Sequence, residues 1–176
     1  VSRILLNPGS IDCIVFWSKN PAPLMPHLHL LDDTGYRYYF QFTLTPYDAE
    51  IEINLPPKRN LVSTFIELSI LLGKERVIWR YDPILLTNTI DIDYHISHFA
   101  ALADSLAGLT SKCIISFYDP YKRCANNMRP LQPLPLDDRT MRTIAAALQE
   151  IAARCNLQLE TCAEKIDLSS LGILPA

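Results

Sequence analysis

The stretch RVIWRYDP, Arg76–Pro83, decides the fold class. Val77, Ile78 and Trp79 make a short β-branched and aromatic run, the composition of a buried strand. The predicted strand Arg76–Trp79 then runs into Asp82-Pro83, and proline has no amide with which to extend a ladder. The same punctuation recurs along the chain. Ile11–Trp17 runs into Asn20-Pro21, Tyr36–Leu44 into Thr45-Pro46, and Lys112–Phe117 into Asp119-Pro120. A fifth β-rich segment, Leu157–Thr161, completes the set.

Between these segments the apolar period changes from two to between three and four. Asn60–Leu72 places Leu61, Phe65, Leu68 and Leu72 on one helical face; Asp91–Ala107 does so with Ile92, Ile96, Phe99, Ala103 and Leu106. Asp137–Cys155 repeats the pattern with Met141, Ile144, Leu148 and Ile151. Asp91 or Thr89 starts the second of these helices, and Asp137 and Asp138 favour the start of the third. A weaker helix is expected over Pro23–Asp33. Gly35, Gly73 and Gly108 follow three of the helices, where a left-handed residue is wanted. Proline therefore marks the carboxyl ends of strands and glycine the returns to them. Alternating strands and helices imply βαβ units around a parallel sheet buried on both faces. A full (β/α)₈ barrel takes about 250 residues. The 176 residues here predict a single α/β domain over 1–176, either a partial (β/α) TIM-type barrel or an open parallel sheet of about five strands.

Composition narrows the functional classes. The chain has 13 Pro and only 5 Gly, against about 9 and 12 for average usage. No two glycines are closer than 26 positions, so neither a G-x-G-x-x-G turn nor a P-loop exists. A net charge of −3 without basic runs argues against nucleic acid and anionic membranes as partners. The apolar runs are too short to span a bilayer, and Arg3 and Asn7 flank too short a run for a signal peptide. A cytoplasmic location is expected, with five reduced cysteines. Their spacing offers no C-x-x-C metal pair. Cys13 and Cys113, inside apolar runs, read as small core residues.

Strand parity singles out polar residues at one set of strand ends. Lys19 and Asn20 end the first strand, and Gln41, Thr43 and Thr45 share a face of the second. Arg80 and Asp82 share a face of the third; Ser116 and Tyr118 share one of the fourth, with Asp119 at its tip. Glu160, Cys162 and Glu164 line up on the fifth. Converging polar groups at one edge of an apolar sheet suit a small-molecule ligand. Arg80 leads the set, because an Arg ending a buried strand needs an anion; a ligand carboxylate or phosphate would bind it bidentately. The alternative is that Arg80 and Asp82 pair with each other. His95 and His98 read as the solvated face of an outer helix, with no third metal ligand in view. Cys124, beside Lys122 and Arg123, lacks a His to activate it.

The stretches IDCIVFWSKNPAPLMP, YYFQFTLTPYD, LGKERVIWRYDPILLT, KCIISFYDPYKR and CAEKIDLSSLGI, in that order, resemble the bacterial domain-of-unknown-function family 1848. The resemblance implies a barrel-type fold carrying a radical-SAM-like cysteine cluster near the family's C-terminal end, with a [4Fe-4S] cluster and S-adenosylmethionine. None of the five cysteines here matches that cluster. The chain is therefore expected to be the central part of a longer protein and to hold no cofactor itself. As the barrel core of a radical-SAM-like enzyme, it would bind a carboxylate at Arg80. Gln41, Thr43, Thr45 and Asn20 would supply hydrogen bonds, and Asp82, Asp119 or Glu160 would contact ribose or amine groups. The alternative is a non-catalytic α/β binding or interaction module, dimerising through an exposed sheet edge. A cofactor-free hydrolase using the carboxylates is a weaker third reading.

Overall fold

The computed structural model describes residues 6–120, 128–162 and 164–176. Six parallel strands form one sheet: β1 (Ile14–Ser18), β2 (Tyr38–Thr43), β3 (Val77–Ile84), β4 (Lys112–Phe117), β5 (Gln158–Thr161) and β6 (Leu174–Pro175). Their order in space is their order in sequence. The connecting helices are α1 (Leu28–Thr34), α2 (Lys58–Leu72), α3 (Ile92–Ser105) and α4 (Asp138–Arg154). Right-handed crossovers that always step the same way along a sheet place every helix on one face. This is the winding of a (β/α) barrel. A doubly wound sheet would reverse its order at a switch point, and none is seen. Among the described residues β1 and β6 do not pair, so the sheet stays open.

The helices begin and end where local chemistry directs. Asp91 caps α3 by accepting the Tyr94 amide at 2.8 Å, and Asp137 caps α4 through the Thr140 amide at 2.8 Å. Gly35 closes α1 at φ +80°, a left-handed conformation that costs any other L-residue energy. The helix-side core is aromatic. Trp79 stacks on Phe99 with ring centroids 4.8 Å apart, Phe42 meets Phe65 at 5.1 Å, and Ile144 and Leu148 of α4 are fully buried.

The structure corrects four readings. The sheet has a sixth strand: Leu174–Pro175 is two residues long and contains proline, so it carries no period, but an edge strand tolerates a missing amide. Strand β3 continues through Asp82-Pro83 to Ile84, because a register shift between Tyr81 and Ile84 means that the ladder asks no N–H of Pro83. Burial on both faces holds only for the central strands. In edge strand β1 it alternates, and Trp17 is 62% exposed on the face away from the helices. For the same reason Cys13 is exposed, whereas Cys113 on β4 is buried.

Candidate active-site cleft

The face without helices carries a cleft of about 520 Å³ at the carboxyl ends of the strands. In parallel α/β folds this edge is where the βα loops gather. Its floor is β3. Arg80, 2% exposed, donates from Nε (3.1 Å) and Nη2 (2.6 Å) to Asp82 Oδ2, and from Nη1 to Gln41 Oε1 at 3.0 Å. Trp17 lies across the guanidinium, 4.1 Å from ring centroid to carbon, a cation–π arrangement. The Ser116 hydroxyl donates to Asp82 Oδ1. The anion that Arg80 requires is thus supplied by Asp82, two residues along the same strand face. The carboxylate is in turn fixed from β4.

A second charged group closes the β1–β2 side. Glu52, on the loop between β2 and α2, accepts from Lys19 Nζ at 2.5 Å, from Thr45 Oγ1 at 2.9 Å and from Lys58 Nζ. Its side chain is 7% exposed. Burial alone would raise the Glu52 carboxyl, but hydrogen bonds and charge from Lys19 and Lys58 outweigh it and hold the group below the ordinary Glu value. Burial pushes the Lys58 ammonium down, partly offset by Glu52. On the β4–β5 side Glu164 accepts the Phe117 amide at 2.7 Å. Burial raises this carboxyl; the amide opposes the shift, and the charges of Asp119 and Asp82 add to it.

The wall behind β3 is braced from within. The Tyr47 hydroxyl donates to Pro83 O at 2.6 Å and accepts the Leu85 amide at 2.9 Å. His95 spans Leu85 O and the Tyr81 hydroxyl, both at 2.9 Å. His95 is therefore buried, not on the solvated face expected of it. Only His98 lies outside, stacked on Tyr94. Burial lowers the His95 pKa, with the Leu85 carbonyl opposing.

Of the residues singled out from sequence, Lys19, Arg80, Asp82, Ser116 and Asp119 line the cleft, with Tyr118, Cys162 and Glu164. Gln41, Thr43 and Thr45 stand one layer behind: Gln41 and Thr45 as above, and Thr43 accepting the Trp17 indole N–H at 3.1 Å. Asn20 shapes its own loop, its side-chain oxygen accepting the Ala22 amide at 3.3 Å. Glu160 lies deeper on the sheet, bound to Lys112 Nζ at 2.7 Å and Gln158 Nε2 at 2.8 Å. Cys124 falls outside the described residues. Sequence reading missed Glu52, Tyr47 and Trp17. The signal for Glu52 was its place in DAEIEINLPPK, an acidic stretch in a long strand-to-helix loop. A second hollow of about 590 Å³ lies toward the strand starts, lined by Cys13, Asp32, Arg37, Tyr39, Arg76 and Lys112. It is remote from the βα loops.

Among the described residues no group of three His, Cys, Asp or Glu side chains is placed to hold a metal ion. No described helix is long and apolar enough to cross a membrane. The family described as "Domain of unknown function (DUF1848)" matches residues 1–176, the whole chain. No curated protein matches it. Among solved structures, a protein described as a "putative sugar phosphate isomerase/epimerase" from Anabaena variabilis is similar at 14% identity and TM-score 0.48. The similarity covers 86% of this chain and 53% of that protein, so the chain spans about half the length of the neighbour.

Proposed function

The chain belongs to the DUF1848 family, and we propose that it is the ligand-holding barrel core of an enzyme whose small-molecule site is the cleft at the carboxyl ends of its strands. One observation carries this reading: five charged or polar strand-end residues from β1, β3 and β4 line a single 520 Å³ hollow with Tyr47, Pro83, Leu85 and Phe117 as apolar walls. Rigid polar groups in an apolar hollow are what orientation of a small ligand requires. Asp82 is held at both oxygens and so serves as a fixed acceptor. Glu164, with its raised affinity for a proton, is the group suited to exchange one with a ligand.

Trp17 makes the test direct, because the other tryptophan, Trp79, is fully buried on the helix side. A panel of amino acids, nucleosides and sugar phosphates is titrated while Trp17 fluorescence is followed, with Trp17→Phe as the blank. At least one class is expected to shift Trp17. Silence across the panel would overturn the reading.

The resemblance supports a finer proposal, that the full-length protein is a radical-SAM-like enzyme. A [4Fe-4S] cluster would supply reductive cleavage of S-adenosylmethionine. The described residues do not fit such a cluster, so its ligands would have to lie outside them. Anaerobic reconstitution of the full-length protein decides it: absent iron-linked absorbance and absent 5′-deoxyadenosine release, the proposal fails. A non-catalytic interaction module is favoured by a different observation, the exposed Val15 and Trp17 on edge strand β1 and Leu174 on edge strand β6. That reading requires a dimer in solution, visible by sedimentation.

A further inference from the structure

The charges of the cleft are sorted along the strand order, and from this sorting we infer that it takes a dipolar small molecule, its anionic group toward Lys19 and its cationic group toward Asp119 and Glu164. The inference rests on the cleft being the ligand site and adds the class of ligand.

On the β1–β2 side two ammonium groups, Lys19 and Lys58, share the single carboxylate of Glu52. Within this cluster of three the ammonium groups outnumber the carboxylate, and Asp48, which does not line the cleft, acts on Lys58 by charge. Lys19 is the one that lines the cleft, and among the described residues it donates to Glu52 only, leaving two of its three donors for a ligand. At the centre Arg80 and Asp82 cancel, and Trp17 covers the guanidinium. On the β4–β5 side stand Asp119 and Glu164, and no described cation lines the cleft beside them. Among the described residues Glu164 accepts from the Phe117 amide alone.

A simple anion would meet four lining carboxyl groups, Glu52, Asp82, Asp119 and Glu164, against two cations. A simple cation would leave the two spare donors of Lys19 without an acceptor. A molecule bearing both charges satisfies both ends at once, and its apolar middle would lie along Tyr47, Leu85 and Phe117. Strands sit about 4.8 Å apart, so β1 and β4 are separated by about 14 Å along the sheet. Side chains reaching inward shorten the charge separation below that span, which an extended eight-carbon amino acid can bridge.

The test uses 8-aminooctanoate, octanoate and octylamine on the whole chain, read through Trp17 fluorescence with Trp17→Phe as blank. The dipolar probe is expected to bind at least tenfold more tightly than either singly charged one. Lys19→Met should abolish its advantage over octylamine, and Glu164→Gln its advantage over octanoate. Equal affinities of the wild-type chain for all three probes overturn the dipolar inference and leave the cleft standing as a ligand site. Variants that weaken all three probes alike overturn it too, as does a Trp17 that responds to none. The metabolite panel separately decides whether the cleft binds anything.

Discussion

Arg80 and Asp82 give the sharpest energetic prediction. Arg80 is almost wholly buried on the inner sheet face, and among the described residues its ion-pair partner is Asp82, which receives two of its N–H groups. Asp82→Asn preserves shape and removes that charge, leaving the guanidinium with Gln41 and the Trp17 ring as its contacts among the described residues. Breaking a buried pair from one side costs about 3–5 kcal/mol, because the surviving ion stays desolvated. For a chain of this size each kcal/mol moves the Tm by roughly 2–4 °C, so a fall of roughly 6–20 °C is expected. Arg80→Met should cost less, about 1–2 kcal/mol: Asp82 is 17% exposed at the cleft and keeps the Ser116 hydroxyl. The double variant holds no unpaired charge and should resemble Arg80→Met alone, giving a coupling energy of about 3–5 kcal/mol, the whole cost of Asp82→Asn. Urea unfolding at pH 7.5, with midpoint and slope measured for all four proteins, supplies each value. A cost below about 1 kcal/mol for Asp82→Asn, or single effects that add in the double variant, would show that the pair does not carry the charge of Arg80.

Two further perturbations read pH. His95 is buried with a lowered pKa, so the unfolded chain binds a proton that the folded chain refuses. Stability should therefore fall as pH drops below the ordinary His value of 6.5 toward the folded value. His95→Phe should flatten that slope while costing about 1–3 kcal/mol at pH 7.5, through the unpaired Tyr81 hydroxyl and Leu85 carbonyl; an unchanged slope in pH-resolved urea melts refutes the assignment. Glu52 carries the opposite case, a carboxyl lowered in the folded state. Its stabilisation is complete above the ordinary value of 4.5 and is lost as pH falls through the folded value. Glu52→Gln should cost about 1 kcal/mol at pH 7 and nothing at pH values where wild-type Glu52 is protonated; a cost independent of pH would place the effect in packing.

What was legible in the chain was what depends on neighbours in sequence. Period, caps and the polar-Pro pairs are local, and they located four helices, five strands and the edge that carries the cleft. Pairing across the sheet is not local. Arg80 was rightly read as needing an anion, yet choosing between a ligand and Asp82 depended on the rotamers of two residues on one strand face. Gln41 and Trp17, each from another strand, then decide how much of the guanidinium remains for anything else. The same holds for His95, whose three-residue spacing from His98 suggested one shared face. A helix turns about 100° per residue, so residues three apart lie about 60° from each other. That angle is enough to put one ring under Leu85 and the other in solvent. Glu52 shows the remaining gap: its loop was marked by Thr45-Pro46 and Pro56-Pro57, but its clasp by Lys19 and Lys58 joins three separate segments. The cleft's charge sorting arises from such long-range meetings. Strand parity alone therefore located the edge at which the cleft opens, and only the folded chain shows which charges there are already matched.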